Sequence, residues 1–252
     1  KGLGLFDEAL VYLLQILKSK SIPPHAYIEA IETASLAQKS NLARRLSNKV
    51  QKKIARDPSL LNRLALYELG VKNTDTAIRL LQSTISLCPK SEIYRNNLGN
   101  ALRQKGLFDD AFSNYAYAKR INPNYAPAYV NSGATLQITN DYWGAIEEFT
   151  KALELEPKQP FVLKALADAL LCVQESAAAI ACLSNSIEMA PDSAVLHKSL
   201  GVAFMKVGNK AKAKSSLLRA AAINPACVDT QFTLSKLSLG KNDDAKLSQH
   251  LK

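Results

Sequence analysis

Six prolines set a period in this chain. Pro58 is followed by Pro89 after 31 residues, and Pro123, Pro157, Pro191 and Pro225 then follow at steps of 34. A fixed period of this length means a repeat architecture, in which stacked supersecondary units build one continuous core. Such an array is first of all a surface that holds something. The period therefore names a class of activity before any single residue is weighed.

With each proline at position 32 of a 34-residue unit, four units align without gaps: 92–125, 126–159, 160–193 and 194–227. Position 8 reads Gly99, Gly133, Ala167 and Gly201, and position 20 reads Ala111, Ala145, Ala179 and Ala213. Position 11 reads Leu102, Leu136, Leu170 and Phe204, and position 24 reads Tyr115, Phe149, Leu183 and Leu217. Apolar residues at helical spacing predict two helices per unit. Gly106 and Gly208 fall between them, where a left-handed C-cap is wanted, and Asn140 tolerates the same conformation. The small residues at 8 and 20 let the two helices cross closely, and the proline ends the second helix.

This pattern resembles the tetratricopeptide repeat (TPR) family, through the small residue at 8, Ala at 20, Pro at 32 and turns such as 106–111. The resemblance implies an all-α fold, a right-handed solenoid of antiparallel helix pairs. It covers five units, 58–91 and the four above. Residues 1–57 read as degenerate N-terminal helical repeats, and 228–252 as a partial C-terminal repeat. Gly4-Leu5-Phe6-Asp7-Glu8-Ala9 repeats the 106–111 turn almost letter for letter, with Glu8 in place of Asp110, which predicts a turn there and a second helix over 5–20. A unit at 24–56 follows, with Ala34 at its small position and Leu42, Leu46, Val50 and Ile54 as an apolar stripe. The 31-residue step predicts that about one helical turn is missing between Pro58 and Pro89, with a bend there. Gly240 to Ala245 reads as a further turn. The half-repeats at both ends, and a start other than Met, predict an excerpt of a longer protein.

The net charge of +10 is unevenly placed. Residues 1–57 carry +5, units 126–159 and 160–193 carry −3 each, and unit 194–227 carries +6 with no acidic residue. Arg45, Lys49, Lys52 and Arg56 have the spacing of one helix face, beside Arg44 and Lys53; Lys206, Lys210, Lys212, Lys214 and Arg219 form a second basic stretch. Solvated helix faces explain these charges, and an anionic partner is the functional reading. No aromatics interleave with them for base stacking, which disfavours nucleic acid. No apolar run reaches the ~18–20 residues of a membrane span, and the setting expected is cytoplasmic. Cys88, Cys172, Cys182 and Cys227 make no C-x-x-C pair and are expected as buried, reduced thiols. His25, His197 and His250 show no metal spacing, and His197 reads as a packing residue. No cofactor is implied.

In the family, first helices line the concave face. With positions 4, 7, 8 and 11 in the core, positions 2, 5, 6, 9, 12 and 13 face the groove. The candidate peptide-binding groove is then Asn96, Asn97, Asn100, Arg103, Asn131, Gln137, Phe161, Lys164, Leu171 and Lys198. Asn97 and Asn131 share position 6. Amides carry donors and an acceptor, and amides one repeat apart can grip an extended backbone, in an arrangement similar to the asparagine ladder of the TPR arm of O-GlcNAc transferase. Ile138, Phe161, Leu171, Cys172 and Met205 make an apolar anchor, flanked by Lys164 and Lys198 for acidic groups on a partner. The family's carboxylate clamp is rejected, because its asparagines find matches here and its cations do not.

No phosphate-binding glycine loop, nucleophile elbow or H-E-x-x-H occurs. Glu147-Glu148 and Asp243-Asp244 read as solvated charges, and no enzyme activity is expected of the chain itself. The expected function is a scaffold that holds a protein or peptide segment. The alternative is the substrate-presenting arm of a larger enzyme of sulfotransferase or glycosyltransferase type. For the first type, 230–237 with Asp243, Asp244 and Leu247 is similar to the final repeat before a transferase domain. Self-association through uncapped ends is a third expectation.

Overall fold

The structure, a computed structural model, describes residues 2–18 and 23–238. The described residues are helical and contain no strand. In order they form α1 (Gly2–Ile16), α2 (Pro24–Leu36), α3 (Ser40–Val50), α4 (Pro58–Gly70), α5 (Thr74–Leu87), α6 (Glu92–Lys105) and α7 (Phe108–Ile121). There follow α8 (Ala126–Ile138), α9 (Tyr142–Leu155), α10 (Pro160–Cys172), α11 (Ser176–Met189), α12 (Ala194–Lys206), α13 (Lys210–Ile223) and α14 (Val228–Ser238).

Left-handed residues mark the period more sharply than the prolines do. Gln38, Lys72, Gly106, Asn140, Gln174 and Gly208 all have positive φ, and each stands 34 residues after the last. In every case the next amide donates to the carbonyl five residues before it. The bonds run from Lys39 to Ala34, Asn73 to Glu68, Leu107 to Leu102, Asp141 to Leu136, Glu175 to Leu170 and Asn209 to Phe204, at 2.8–2.9 Å. This Schellman closure satisfies a carbonyl that the helix end would leave orphaned.

The missing turn expected near Pro58 is therefore absent. Lys72 precedes Gly106 by the full period, and α4 and α5 have 13 and 14 residues. Pro58 is not the counterpart of Pro89. It opens α4 behind Asp57, whose Oδ1 accepts from the amides of Ser59 (3.0 Å) and Leu60 (3.1 Å). Pro89 lies in the link before α6. Proline suits both places, because neither needs its N–H.

Two further expectations change. Gly4 lies inside α1, which starts at Gly2 and ends at Ile16. The turn at Gly106 depends on carbonyls of α6, so its six letters do not make a turn alone. α3 stops at Val50 and residues 51–56 are turns, so Arg45, Lys49, Lys52 and Arg56 do not share one helix face. Ile54 is still buried, with Leu46 and Val50. The further turn at 240–245, with Asp243, Asp244, Leu247 and His250, lies outside the described residues.

Residues 1–128 and 129–252 form two compact units. The first packs Leu10, Tyr27, Ile31, Leu64, Leu81 and Tyr115 into one core, and the second packs Phe149, Leu166, Leu170, Leu183 and Leu196. Inside each repeat, position 8 meets position 24. A Cβ on Gly99 would come within 2.7 Å of Tyr115 Cδ1, and one on Gly133 within 2.8 Å of Phe149 Cε1. Gly201 faces Leu217 in the same way, an added Cβ falling 2.6 Å from its Cγ, while the repeats with Leu81 and Leu183 at position 24 hold Ala65 and Ala167 at position 8.

Candidate functional site

In the first unit the candidates lie on α6, the first helix of the repeat that follows that of α4. Asn97 is half-buried and donates from Nδ2 to Oδ1 of Asn62 at 2.8 Å. An amide rung thus joins successive first helices. Each amide keeps further hydrogen-bonding capacity. Asn100 accepts from the hydroxyl of Tyr115 at 2.9 Å, and Arg103 is half-buried. Asn96, expected in the groove, is 4% exposed and belongs to the interior. Arg63 of α4 forks onto Glu32 of α2, with Nη2 at 2.6 Å and Nε at 3.2 Å from the two oxygens. Such a pair adds fixed geometry as well as charge.

In the second unit α8, α10 and α12 carry the candidates. Gln137 donates to the carbonyl of Ala165 at 3.0 Å. Asn131 is half-buried, and its carbonyl accepts from the Thr135 hydroxyl at 2.7 Å. Phe161 is 67% exposed. Leu171, placed in the apolar anchor by sequence, is instead buried. Both lysines are already matched: Lys164 pairs with Asp168 at 2.6 Å and Lys198 with Asp229 at 3.1 Å. Helical spacing identified a face, but not how far the neighbouring helix covers it.

Sequence reasoning missed two features. Val195 stands one repeat after Phe161 at position 2 and is 57% exposed, so α10 and α12 each present an apolar side chain there. A side chain at position 13 also reaches back 35 residues to a last-turn carbonyl: Gln104 to Leu69 at 3.3 Å, and Lys206 to Leu171 at 2.8 Å. The register of both pairs follows from the period, so they were findable in principle.

The cysteines differ from the buried set expected. Cys172 ends α10 and is exposed; Cys88, Cys182 and Cys227 are half-buried. Burial pushes the Cys182 thiol above its ordinary range. The Thr230 hydroxyl, 3.2 Å from Cys227 Sγ, holds that thiol below it. The His197 Nε2 lies 2.8 Å from the Pro191 carbonyl, within hydrogen-bond distance. Among the described residues no group of His, Cys, Asp and Glu could hold a metal.

Residues 62–126 and 126–159 match the tetratricopeptide repeat family. Human protein O-mannosyl-transferase TMTC1 is 33% identical over 101 residues, which is 38% of this chain and 11% of that protein. The small glutamine-rich tetratricopeptide repeat-containing protein 2 of Mycosarcoma maydis is 30% identical over 99 residues, 39% of this chain and 28% of its own length. The match thus spans less than a third of either relative. Among solved structures, PilF of Pseudomonas aeruginosa aligns with a TM-score of 0.67 at 17% identity, covering 84% of this chain and 97% of that one. YrrB, described as a TPR protein with an unusual peptide-binding site, aligns with 0.59 at 17% identity, covering 74% and 96%. The repeated left-handed turns, the packing of position 8 on position 24 and these matches together show that the chain contains tetratricopeptide repeats, over residues 62–159.

Proposed function

We propose that the chain is a protein-interaction scaffold that holds a peptide or protein segment against its first helices. The observation that carries this reading is the exposure of Phe161 and Val195, one repeat apart at the same position of α10 and α12. Isolated apolar side chains on a surface are ordinary, but apolar side chains presented together by neighbouring helices make the kind of patch that marks a contact site, and α10 and α12 are neighbours. Lys164 and Lys198 lie beside them, and Gln137 supplies a polar neighbour on α8. The first unit, taken by itself, offers polar contacts through Asn97, Asn100 and Arg103, with Asn62 as the second amide. The likeness to YrrB supports a peptide as the ligand. Free cysteines fit a reducing, cytoplasmic setting; no helix among the described residues is long and apolar enough to cross a membrane.

Exposure of Phe161 makes its truncation a clean test, because little packing is lost. A peptide array probed with the labelled chain should lose most of its bound spots in the Phe161→Ala, Val195→Ala double variant, with helicity intact. An unchanged spot pattern would sink the proposal.

A second reading rests on the identity with the O-mannosyl-transferase TMTC1. In it, the array presents substrates to a transferase domain of the same longer protein. Reading the gene on both sides of this segment decides the matter: an in-frame catalytic domain supports the arm, and none on either side removes it.

A further inference from the structure

A cleft of about 550 Å³ opens between α3 and α4 in the first unit, and none of the residues proposed above lines it. Ser40, Arg44 and Asn48 line it from α3, at successive four-residue steps, and Tyr67, Glu68 and Asn73 line it from α4 and its turn. Glu68 is 4% exposed, yet its carboxylate is fully engaged: the Ser47 hydroxyl donates to Oε1, and Asn73 Nδ2 donates to Oε2 at 2.7 Å. Arg44 and Asn48 are different. Both are exposed, and neither has a hydrogen-bond or ion-pair partner among the described residues. Arg44 is the one cation among the residues that line the cleft.

The α3 side of the cleft carries charge of one sign. From Ser40 to Arg56 there are six basic residues and no acidic one, and all six are exposed. Such a field attracts anions and speeds their encounter. The cleft then selects among them. A guanidinium with an amide and a hydroxyl beside it matches a planar carboxylate. The Glu68 charge on the cleft wall disfavours a phosphate dianion more than a carboxylate monoanion. A recessed cleft also fits a side chain or chain terminus better than a flat lipid surface. We infer that the α3–α4 cleft is a second binding site, which takes a carboxylate of an acidic peptide segment at Arg44 and Asn48.

The carboxylate can come from an Asp or Glu side chain or from a chain terminus. Two fluorescent peptides separate these sources: an amidated hexapeptide of alternating Asp and Glu, and a neutral Ala-Gly hexapeptide with a free C-terminus. Titration of the full chain by anisotropy should show one of them binding. Arg44→Gln should weaken that binding at least tenfold, and Asn48→Ala about threefold. Arg45→Gln, a neighbouring basic change outside this cleft, should alter it less than twofold. Circular dichroism checks that each variant is folded. Binding of neither peptide overturns the inference, as does equal loss in the Arg44 and Arg45 variants. Tighter Arg44-dependent binding to phosphatidylserine vesicles or to a single-stranded oligonucleotide also overturns it, in favour of those partners. The Phe161→Ala, Val195→Ala variant should bind the peptide normally, so this site and the first-helix site fail independently.

Discussion

The ring of Tyr115 occupies the space where a side chain on Gly99 would begin, so that any Cβ there would stand 2.7 Å from Cδ1. Gly99→Ala should therefore destabilise the first unit by about 1–3 kcal/mol, as overpacking does in well-filled cores. Urea unfolding measures this. Tyr115→Leu in the same chain should recover part of the loss, because Ala with Leu is the pairing at 65 and 81. If the two changes simply add, the contact does not explain the glycine.

Four of the six left-handed turn residues carry a side chain that the conformation penalises. A non-glycine residue there costs roughly 1–2 kcal/mol, while glycine gives back part of that in unfolded-chain entropy. Lys72→Gly and Gln174→Gly should each stabilise the chain by about 0.5–1 kcal/mol. A rise in thermal midpoint of each variant checks it; a fall would show that Lys72 or Gln174 has a stabilising role beyond the turn.

Glu68 ties three segments together through Ser47 and Asn73. Glu68→Ala leaves the wholly buried Ser47 hydroxyl without its acceptor, and should cost about 1–3 kcal/mol. Ser47→Ala removes the donor and leaves Asn73 in place, so its cost should be smaller. Equal losses in the two variants would contradict this ordering.

The thiols should separate by pH. A thiol reacts as its thiolate, and Cys227 is held below the ordinary thiol range by Thr230 while Cys182 is raised by burial. As pH rises, Cys227 should label with a maleimide before Cys182 does. Thr230→Val should shift Cys227 labelling to higher pH. Mass spectrometry of peptides from a pH series reads both, and labelling of Cys182 first would refute the assignment.

Helix α1 turns Leu5, Tyr12 and Ile16 outward, with exposures of 69%, 69% and 44%. If this stripe drives self-association, light scattering will show mass falling on dilution. Tyr12→Lys with Ile16→Lys should then give a constant monomer mass. A monomer at every concentration in the unaltered chain removes the idea.

Much of the fold was legible because helix pairs repeat with small residues at fixed places. Gly106, Gly208 and Asn140 could be read as turn residues from chemistry. Gln38, Lys72 and Gln174 could not, since hydrogen bonds back to the preceding helix impose their conformation. Pro58 misled because proline is welcome both at a helix start and after a helix end. The site was harder. Asn96 and Leu171 lie at groove-type spacing but are covered, and Lys164 and Lys198 already have Asp168 and Asp229 as partners. Periodicity gives a direction around one helix axis, while burial and ion pairing depend on the neighbour across the interface.

The six left-handed turns have a consequence for how such a chain changes length. Each joint has the same backbone bend and the same closing bond, whether Gln, Lys, Gly or Asn occupies it. A segment excised or duplicated from one joint to the next would rejoin with no new turn to invent. Recombination between units thus meets a standard splice, and the surface a partner meets can be lengthened, trimmed or reordered while the joints stay as they are.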